Sequence, residues 1–395
     1  MPIQRRHFLP LLGSPLVAQA KKRPRLAAVV TSYYYYSHAD VILGRLMGGC
    51  SPNGKWHSSR CDVVSLYVHQ IHERDMSADL RWRHGFTTYD SIEKALTLGG
   101  EKLAVDGVVF VGEHGNFPNN DVGQKLYPRH ELFMQILDVY EKNGRAVPTF
   151  FDKHLSYSWA KARELHERAK KLRVPWFAGS SIPLSVREPM LIPAIGTRFD
   201  RALSLGYGDL DAYGFHTLEA LQCMVERRAG GETGLVAVET LQGDAAWALL
   251  DQGWMPLVEA AYATCPRKST APLRELVKKP VVFALEYRDG LRAASVLLNG
   301  AITDWAFAGT AAAKTMACKY GPHSKSRTLP HFDGLAHNIE ELMLSGRPPH
   351  PVERTVLTTG ALAHLFDSVR SGKRIETPEL GIRYQAANPP YVQTA

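Results

Sequence analysis

The sequence predicts an α/β protein with two domains: a doubly wound parallel sheet, then an α+β unit with an open, mostly antiparallel sheet. Three observations support this prediction. Short apolar runs alternate with helical patterns from residue 26 to residue 180. Longer strand-like runs with a hairpin signal follow, and two apolar helical patterns close the chain. Strands that alternate with helices form parallel βαβ units, whereas strands joined by a tight turn are antiparallel.

The first half contains five predicted strands, each a short run rich in apolar and β-branched residues. These runs are 26–31, 62–68, 105–111, 148–151 and 176–179. Apolar residues at helical spacing occupy the segments between them, at 37–47, 75–84, 91–98, 131–142 and 157–172. This alternation is typical of a Rossmann-like nucleotide-binding domain, which we place at residues 26–180.

The second half changes from alternation to paired strands. A predicted helix at 218–228 precedes strand-like runs at 234–241, 281–288 and 291–298. Asp289-Gly290 separates the last two runs, and Asp-Gly between β-rich runs predicts a hairpin. Helical patterns follow at 335–344 and 356–369, and the second ends at Ser371-Gly372-Lys373, a typical C-cap. We place a substrate and oligomerisation domain at 181–385, with its C-terminal helices at 335–370.

Composition and charge limit the classes of partner. The chain has 395 residues, 45% of them hydrophobic, and a net charge of +8. Part of the positive excess lies near the N-terminus, and no later stripe of Lys and Arg is interleaved with aromatic residues. We therefore expect no nucleic-acid partner. No apolar run after the N-terminus approaches the roughly 20 residues of a membrane span, so none is expected.

The first twenty residues have the pattern of a leader peptide. Arg5-Arg6 precedes a short apolar run that ends in Ala18-Gln19-Ala20, a small-x-small cleavage pattern. Residues 1–20 are therefore predicted to be a twin-arginine-type signal peptide, and the mature chain to be periplasmic or secreted. In such an oxidising compartment a Cys50–Cys61 disulfide remains an alternative to free thiols. The spacing of the five cysteines does not suggest a zinc site.

Three ordered motifs link this layout to a known family. They are Phe151-Asp152-Lys153-His154-Leu155, Gly214-Phe215-His216 with Glu219, and the closing segment from Ser345 to Lys373. In this order they resemble the E-K-P segment, the G-x-H-x-x-D helix and the last two helices of the Gfo/Idh/MocA oxidoreductases. The resemblance covers about residues 26 to 385. It implies two catalytic residues: Lys153 would hold a sugar hydroxyl, and His216 would take its proton.

The resemblance also implies NAD or NADP, but the nucleotide-binding turn departs from the usual pattern. The turn after the first strand, Thr31 to His38, contains four tyrosines and lacks the glycines of G-x-G-x-x-G. No acidic residue ends the second strand, which reads Tyr67-Val68-His69-Gln70. The candidate cofactor-binding residues are Ser32, Tyr33, Ser37, His38, His69 and Glu113.

A long polar loop follows the third strand, where the family has a shorter segment beside the nicotinamide. The loop runs from Gly112 to His130, at the carboxyl end of a central strand where ligands bind in open α/β sheets. The candidate substrate-binding residues are His114, His130, Asp152, His154 and Asp211. A metal such as zinc, manganese or iron is an alternative expectation, since histidines and carboxylates converge here. That expectation rests on Glu113, His114, Asp152, His154 and His216.

Three functions fit these observations. The first is an exported NAD(P)-dependent oxidoreductase acting on a sugar or sugar derivative. The second is a lyase, isomerase or hydrolase that uses the same pocket on a keto-sugar, with or without a metal. The third is a carbohydrate-binding protein without catalysis. Because exposed faces of such antiparallel sheets often pair subunits, a homo-oligomer is a further expectation.

Overall fold

Two sheets, each flanked by helices, make up the described part of the chain. In the computed structural model this part comprises residues 23–266, 269–321 and 329–394. The predicted signal peptide at 1–20 lies outside the described residues. A parallel sheet followed by a mostly antiparallel sheet confirms the predicted fold class.

The first sheet is parallel and has the order β3-β2-β1-β4-β5-β6. Its strands are β1 (Arg25–Val30), β2 (Asp62–Val68), β3 (Thr87–Tyr89), β4 (Gly107–Val111), β5 (Thr149–Asp152) and β6 (Trp176–Gly179). The direction of the strand order reverses between β1 and β4. Such a reversal opens a crevice at the carboxyl ends of the strands, which is the usual ligand site of a doubly wound sheet.

Helices cover both faces of this sheet, which explains why β4, and β1 from Leu26 onward, are apolar. The helices are α1 (His38–Gly48), α2 (Ser77–His84), α3 (Ile92–Thr97), α4 (Arg129–Lys142) and α5 (Trp159–Lys171). One face packs against α3, α4 and α5. The opposite face packs against α1 and a later helix, α10 (His331–Ser345). The C-terminal part of the chain thus returns to the first sheet.

The second sheet has the order β14-β9-β10-β11-β8-β12-β13-β7. Its strands are β7 (Val186–Glu188), β8 (Phe199–Gly206), β9 (Leu235–Gln242), β10 (Val281–Tyr287), β11 (Arg292–Leu297), β12 (Trp305–Ala311), β13 (Lys314–Gly321) and β14 (Ile375–Glu376). The predicted hairpin at Asp289-Gly290 is confirmed, since β10 and β11 pair antiparallel around it. One pair, β11 with β8, is parallel.

Both faces of the second sheet are covered as well. Its remaining helices are α6 (Ala212–Val225), α7 (Asp244–Leu250), α8 (Met255–Thr264), α9 (Leu273–Leu276) and α11 (Glu353–Ser371). One face packs against α6 and α11, and the other against α7 and α8. Trp247 and Trp254, both 6% exposed, lie in the second of these layers. The face through which subunit pairing was expected is therefore covered by helices of the same chain.

Several elements of the second half were not predicted. The strands β8 and β12 read FDRALSLG and WAFAGTA, with few β-branched residues, and both are buried on two faces. Packing between two helical layers, rather than intrinsic propensity, makes them strands. All five cysteines are buried and free, so Cys50 and Cys61 do not form a disulfide here. None of the helices in the described ranges combines the length and apolar character that a membrane crossing needs.

Candidate functional site

A buried lysine–histidine pair lies where the two domains meet. Lys153 directly follows β5, and His216 lies in the second turn of α6. Lys153 Nζ is 2.6 Å from His216 Nε2, and the two residues are 3% and 7% exposed. The two predicted catalytic residues therefore come together although 63 positions separate them in the sequence.

Ser180 extends this pair into a chain of three groups. Its Oγ is 2.6 Å from His216 Nδ1 and also accepts a hydrogen bond from the backbone N–H of Ile182 at 3.0 Å. When Lys153 is protonated it donates to Nε2, and the imidazole then carries its proton on Nδ1 and donates to Ser180 Oγ. Once Lys153 has lost that proton, its neutral amine can take up another, as a general base must.

A second buried network lies behind Lys153. Arg129, 1% exposed, donates from Nε to the carbonyl oxygen of Gly112 at 2.8 Å and pairs through Nη2 with Glu113. Its Nη1 donates to His154 Nε2 at 2.8 Å. His154 Nε2 also lies 3.2 Å from Asp211 Oδ1. These contacts hold Glu113 and His154 around one guanidinium group, while Asp211 Oδ2 accepts from the backbone N–H of Lys125 at 2.9 Å.

Glu113 supplies a permanent negative charge to the site. Burial by itself raises the pKa of its carboxyl group, but the positive charges of Lys153 and Arg129 outweigh burial. They hold the pKa of Glu113 well below its usual range. An ionised Glu113 in turn attracts the cationic groups around it.

His38 and Asp152 form a third arrangement on the more exposed side of the cluster. His38 Nδ1 lies 2.7 Å from Asp152 Oδ2, and the two side chains are 16% and 2% exposed. A carboxylate at this distance orients the imidazole ring. The His114 ring centroid lies 5.3 Å from that of His38. His114 Nε2 is buried without a hydrogen-bond partner.

Backbone conformation brings these groups to one edge of the sheet. Lys153 and His114 both have left-handed φ values, of 72° and 70°. Alternate residues of a strand point to opposite faces, and the unusual φ of Lys153 breaks that alternation directly after Asp152. Left-handed non-glycine residues cost on the order of 1–3 kcal/mol each and concentrate at functional sites. Their presence here marks the ends of β4 and β5 as the functional edge.

Some predicted site residues lie elsewhere. Tyr33 is fully buried in the core between β1 and α1, and Ser37 caps α1 by accepting from the backbone N–H of Asp40. His130 bonds Glu164 of α5 at 2.9 Å instead of joining the cluster, because the first turn of α4 directs it to the neighbouring helix. His69 stacks on Phe117 with ring centroids 6.2 Å apart. None of these four residues therefore contacts Lys153 or His216, and their predicted binding roles stay predictions.

Solved structures with the same fold share little sequence with this chain. GenD2 from gentamicin A biosynthesis, in complex with NAD, aligns over 94% of this chain and 99% of its own, with 15% identity and a TM-score of 0.55. The myo-inositol dehydrogenase of Lactobacillus casei, in complex with NAD(H) and myo-inositol, aligns over 90% and 97%, with 11% identity and a TM-score of 0.57. A super-repressor mutant of Gal80p from Saccharomyces cerevisiae aligns over 92% and 100%, with 11% identity and a TM-score of 0.53.

The chain has the Gfo/Idh/MocA fold. No protein-family model and no curated protein matches its sequence. The Gfo/Idh/MocA likeness therefore concerns the fold, which dehydrogenases and a repressor share. Function has to be argued from the site, because one fold carries many functions.

The Gfo/Idh/MocA fold implies a dinucleotide in the crevice between β1 and β4, and that crevice is crossed by a hydrogen-bonded bridge. Gln70 follows β2, and its side chain accepts from Asn116 N at 2.8 Å and donates to Asn116 O at 3.3 Å. Asn116 belongs to the loop after β4, so this bridge passes over the end of β1. Thr31, at the end of β1, donates to the Glu113 carbonyl oxygen at 2.8 Å.

The turn after β1 is also unsuited to a pyrophosphate. Asp40 lies in the first turn of α1, and its carboxylate accepts from the backbone N–H of Tyr36 at 2.9 Å. In Rossmann domains free N–H groups and the helix dipole at this position attract phosphate. Here a carboxylate already occupies that position and would repel a second anion. The residues present do not fit a dinucleotide in the crevice that the family uses.

The structure contains one group of residues that could hold a metal ion within the described ranges, but it is not the group predicted from the sequence. Within the described ranges, a set of ligand atoms close enough to hold an ion occurs at His57, His337 and Glu340. None of these belongs to the predicted set around Lys153. Four members of the predicted set instead bond to other side chains, namely Glu113, Asp152, His154 and His216, whereas His114 Nε2 has no partner.

The open space near the site lies on another surface. A cavity of about 690 Å³ faces the outer side of α1, and its lining includes Tyr35, Tyr36, Trp56 and Asp333. Neither Lys153 nor His216 contributes to it. The lysine–histidine cluster is mostly buried, and its more exposed members are on the His38 side.

Sequence reasoning missed two functional side chains, Arg129 and Ser180. Arg129 lies in the first turn of α4, where a positive charge opposes the helix dipole. A basic residue in that position is a signal that it serves another purpose, here the pairing with Glu113. Ser180 directly follows β6, at the same edge as Lys153, but only the structure pairs it with His216.

Proposed function

We propose that this protein is an enzyme that transfers protons on a carbohydrate or carbohydrate derivative, as an isomerase or lyase, without hydride transfer to a dinucleotide. The contact between Lys153 Nζ and His216 Nε2, 2.6 Å apart at the functional edge, carries the proposal. The myo-inositol in the Lactobacillus casei structure supports a polyhydroxylated substrate class.

In the proposed reaction Lys153 acts as the base and His38 as the acid. Lys153 in its neutral form removes a proton from the carbon beside a carbonyl, while His216 and Ser180 hold it in place. His38, oriented by Asp152, returns a proton to a neighbouring oxygen or carbon. Glu113 and Arg129 form an ion pair that adds no net charge to the buried cluster. General acid–base groups of this kind contribute about 10²–10⁴-fold each to a rate.

Proton exchange at carbon tests this proposal across a range of candidate substrates. The purified protein is incubated with a panel of keto-sugars and uronic acids in D₂O, and deuterium at carbon is measured by NMR. We expect exchange with at least one compound, and a loss of about 10²-fold or more in Lys153→Ala and His216→Ala. Lys170→Ala and His84→Ala, both exposed positions, serve as matched controls.

Two outcomes would count against proton transfer. Exchange that persists unchanged in Lys153→Ala and His216→Ala would remove both residues from the reaction. Absence of exchange together with reduction of added NAD⁺ by a polyol would favour the second candidate, an NAD-dependent dehydrogenase. That candidate is supported by the NAD bound in the GenD2 and Lactobacillus casei structures. It requires the Gln70–Asn116 bridge to open.

We also propose that the chain is exported, on the basis of Arg5-Arg6 and the Ala18-Gln19-Ala20 pattern. Mass spectrometry of the protein from the periplasm or medium is expected to find an N-terminus near Lys21. Retention in the cytoplasm with residues 1–20 intact would contradict export, whereas Arg5→Lys with Arg6→Lys is expected to block it.

A further inference from the structure

Three potential metal ligands meet between the segment after α1 and the helix α10. His57 lies in that segment, and His337 and Glu340 lie on α10 at i,i+3 spacing, which places them on one face of the helix. One ligand atom of each residue lies within 4.8 Å of the others. The group is separate from Lys153 and His216, and neither the proposed function nor the resemblance uses it.

The distances within the group approach those of a zinc site. His57 Nε2 lies 3.0 Å from Glu340 Oε2 and 3.8 Å from the sulfur of Cys50, which is 4% exposed. Zinc binds nitrogen and oxygen at about 2.0–2.2 Å and sulfur at about 2.3 Å in a tetrahedron, which separates neighbouring ligand atoms by roughly 3.3–3.6 Å. Small side-chain rotations therefore suffice to form the site.

The side chains of Arg60, Glu340 and Glu341 together carry a net negative charge. Arg60 donates from its backbone to Glu340 Oε1 at 2.9 Å, and its guanidinium group pairs with both Glu340 and Glu341, at 3.2 and 2.7 Å. One cation thus faces two carboxylates. Hydrogen bonds to a ligand carboxylate from a residue outside the coordination sphere are usual at metal sites.

An unsatisfied polar atom supports a metal ion at this place independently of these distances. His337 Nδ1 is buried and has no hydrogen-bond partner. Buried polar atoms without partners are rare, and a bound ion is one accepted reason for them. The nitrogen without a partner belongs to His337, one of the three potential metal ligands.

We propose that His57, His337 and Glu340 bind one Zn²⁺. Two imidazoles and one carboxylate form a common set of protein ligands for zinc. The ion would join the segment between α1 and β2 to α10, and so fasten α10 to the first sheet. Metal binding at such a junction stabilises the folded state, because the unfolded chain has no preformed site.

Metal content and thermal stability test this proposal together. The full chain is purified with a tag free of histidine, treated with chelator, incubated with Zn²⁺ and passed through gel filtration before elemental analysis. We expect one zinc per chain and a higher melting temperature than that of the metal-free protein. His57→Gln and His337→Gln are expected to lose the zinc and the increase in melting temperature.

Controls separate a specific site from general effects. His84→Gln, on an exposed helix end, is expected to bind zinc like the wild type. Circular dichroism shows whether the glutamine variants fold, and His57→Gln is the safer of the two because its side chain is 28% exposed. Less than one zinc per chain in the wild type would overturn the proposal. The same zinc content in the wild type, His57→Gln, His337→Gln and His84→Gln would also overturn it.

Discussion

At the scale of single residues, the site depends on charges that burial makes costly. Glu113 remains ionised because Lys153 and Arg129 are close to it, and Asp152 is 2.7 Å from His38. The sequence predicted Lys153 and His216 as a pair through short motifs. It did not predict Arg129 or Ser180, because their partners are distant in sequence and no local spacing indicates such contacts.

His114 allows a residue-scale prediction about stability. Burial, followed by the nearby charge of His38, lowers the pKa of His114 from 6.5 to about 4. Between these pH values the unfolded chain binds a proton at this position and the folded chain does not. The free energy of unfolding therefore rises with pH across this window, by about 3 kcal/mol in total for this group, and this contribution is lost as the pH falls.

Chemical denaturation between pH 4 and pH 7 measures this effect. We expect His114→Gln to flatten the rise in unfolding free energy across the window. His84→Gln, at an exposed position, is the matched control and is expected to leave the slope unchanged. Equal slopes for wild type and His114→Gln would contradict the assigned environment of His114.

At the scale of elements, the first domain was easier to predict than the second. The strands β2 and β6 have the predicted bounds, and α1 begins directly after its cap, Ser37. Each of these elements has a clear apolar pattern. The strands β8 and β12 were missed because alanine, glycine and polar residues dominate them, and their strand character comes from the helices on both faces.

Gly179, the last residue of β6, contacts the backbone of Lys153. It ends β6 with φ of 122°, and its carbonyl oxygen accepts from Lys153 N at 3.1 Å. A Cβ at this position would lie 2.6 Å from Thr355 Oγ1 and 2.7 Å from Glu219 Oε2. We expect Gly179→Ala to lower the unfolding free energy by at least about 2 kcal/mol and to disturb the position of Lys153.

Gly230 provides the control for that substitution. Its φ of 86° is also left-handed, but a Cβ there would meet no atom within 4 Å. Gly230→Ala therefore measures conformational strain alone, on the order of 1 kcal/mol. Denaturation curves that give equal losses for Gly179→Ala and Gly230→Ala would show that the close packing of Glu219 and Thr355 has no energetic effect.

At the scale of the whole molecule, the fold and the site give different answers about function. The fold is that of the Gfo/Idh/MocA oxidoreductases over about nine-tenths of the chain. The sequence correctly predicted this fold, and the lack of glycines between Thr31 and His38 is a feature of the sequence itself. It did not predict that the loop after β4 reaches Gln70, since a contact across a third strand has no local sequence pattern.

A titration with dinucleotides measures whether the crevice beside β1 admits NAD or NADP. NAD⁺, NADH, NADP⁺ and NADPH are titrated into the purified chain by calorimetry, with an NAD-dependent inositol dehydrogenase as positive control. Mass spectrometry then examines any nucleotide released when the chain is denatured. We predict no saturable binding and no released nucleotide. Saturable binding of one dinucleotide per chain, with hydride transfer from a polyol, would contradict the proposal that this protein does not use a dinucleotide.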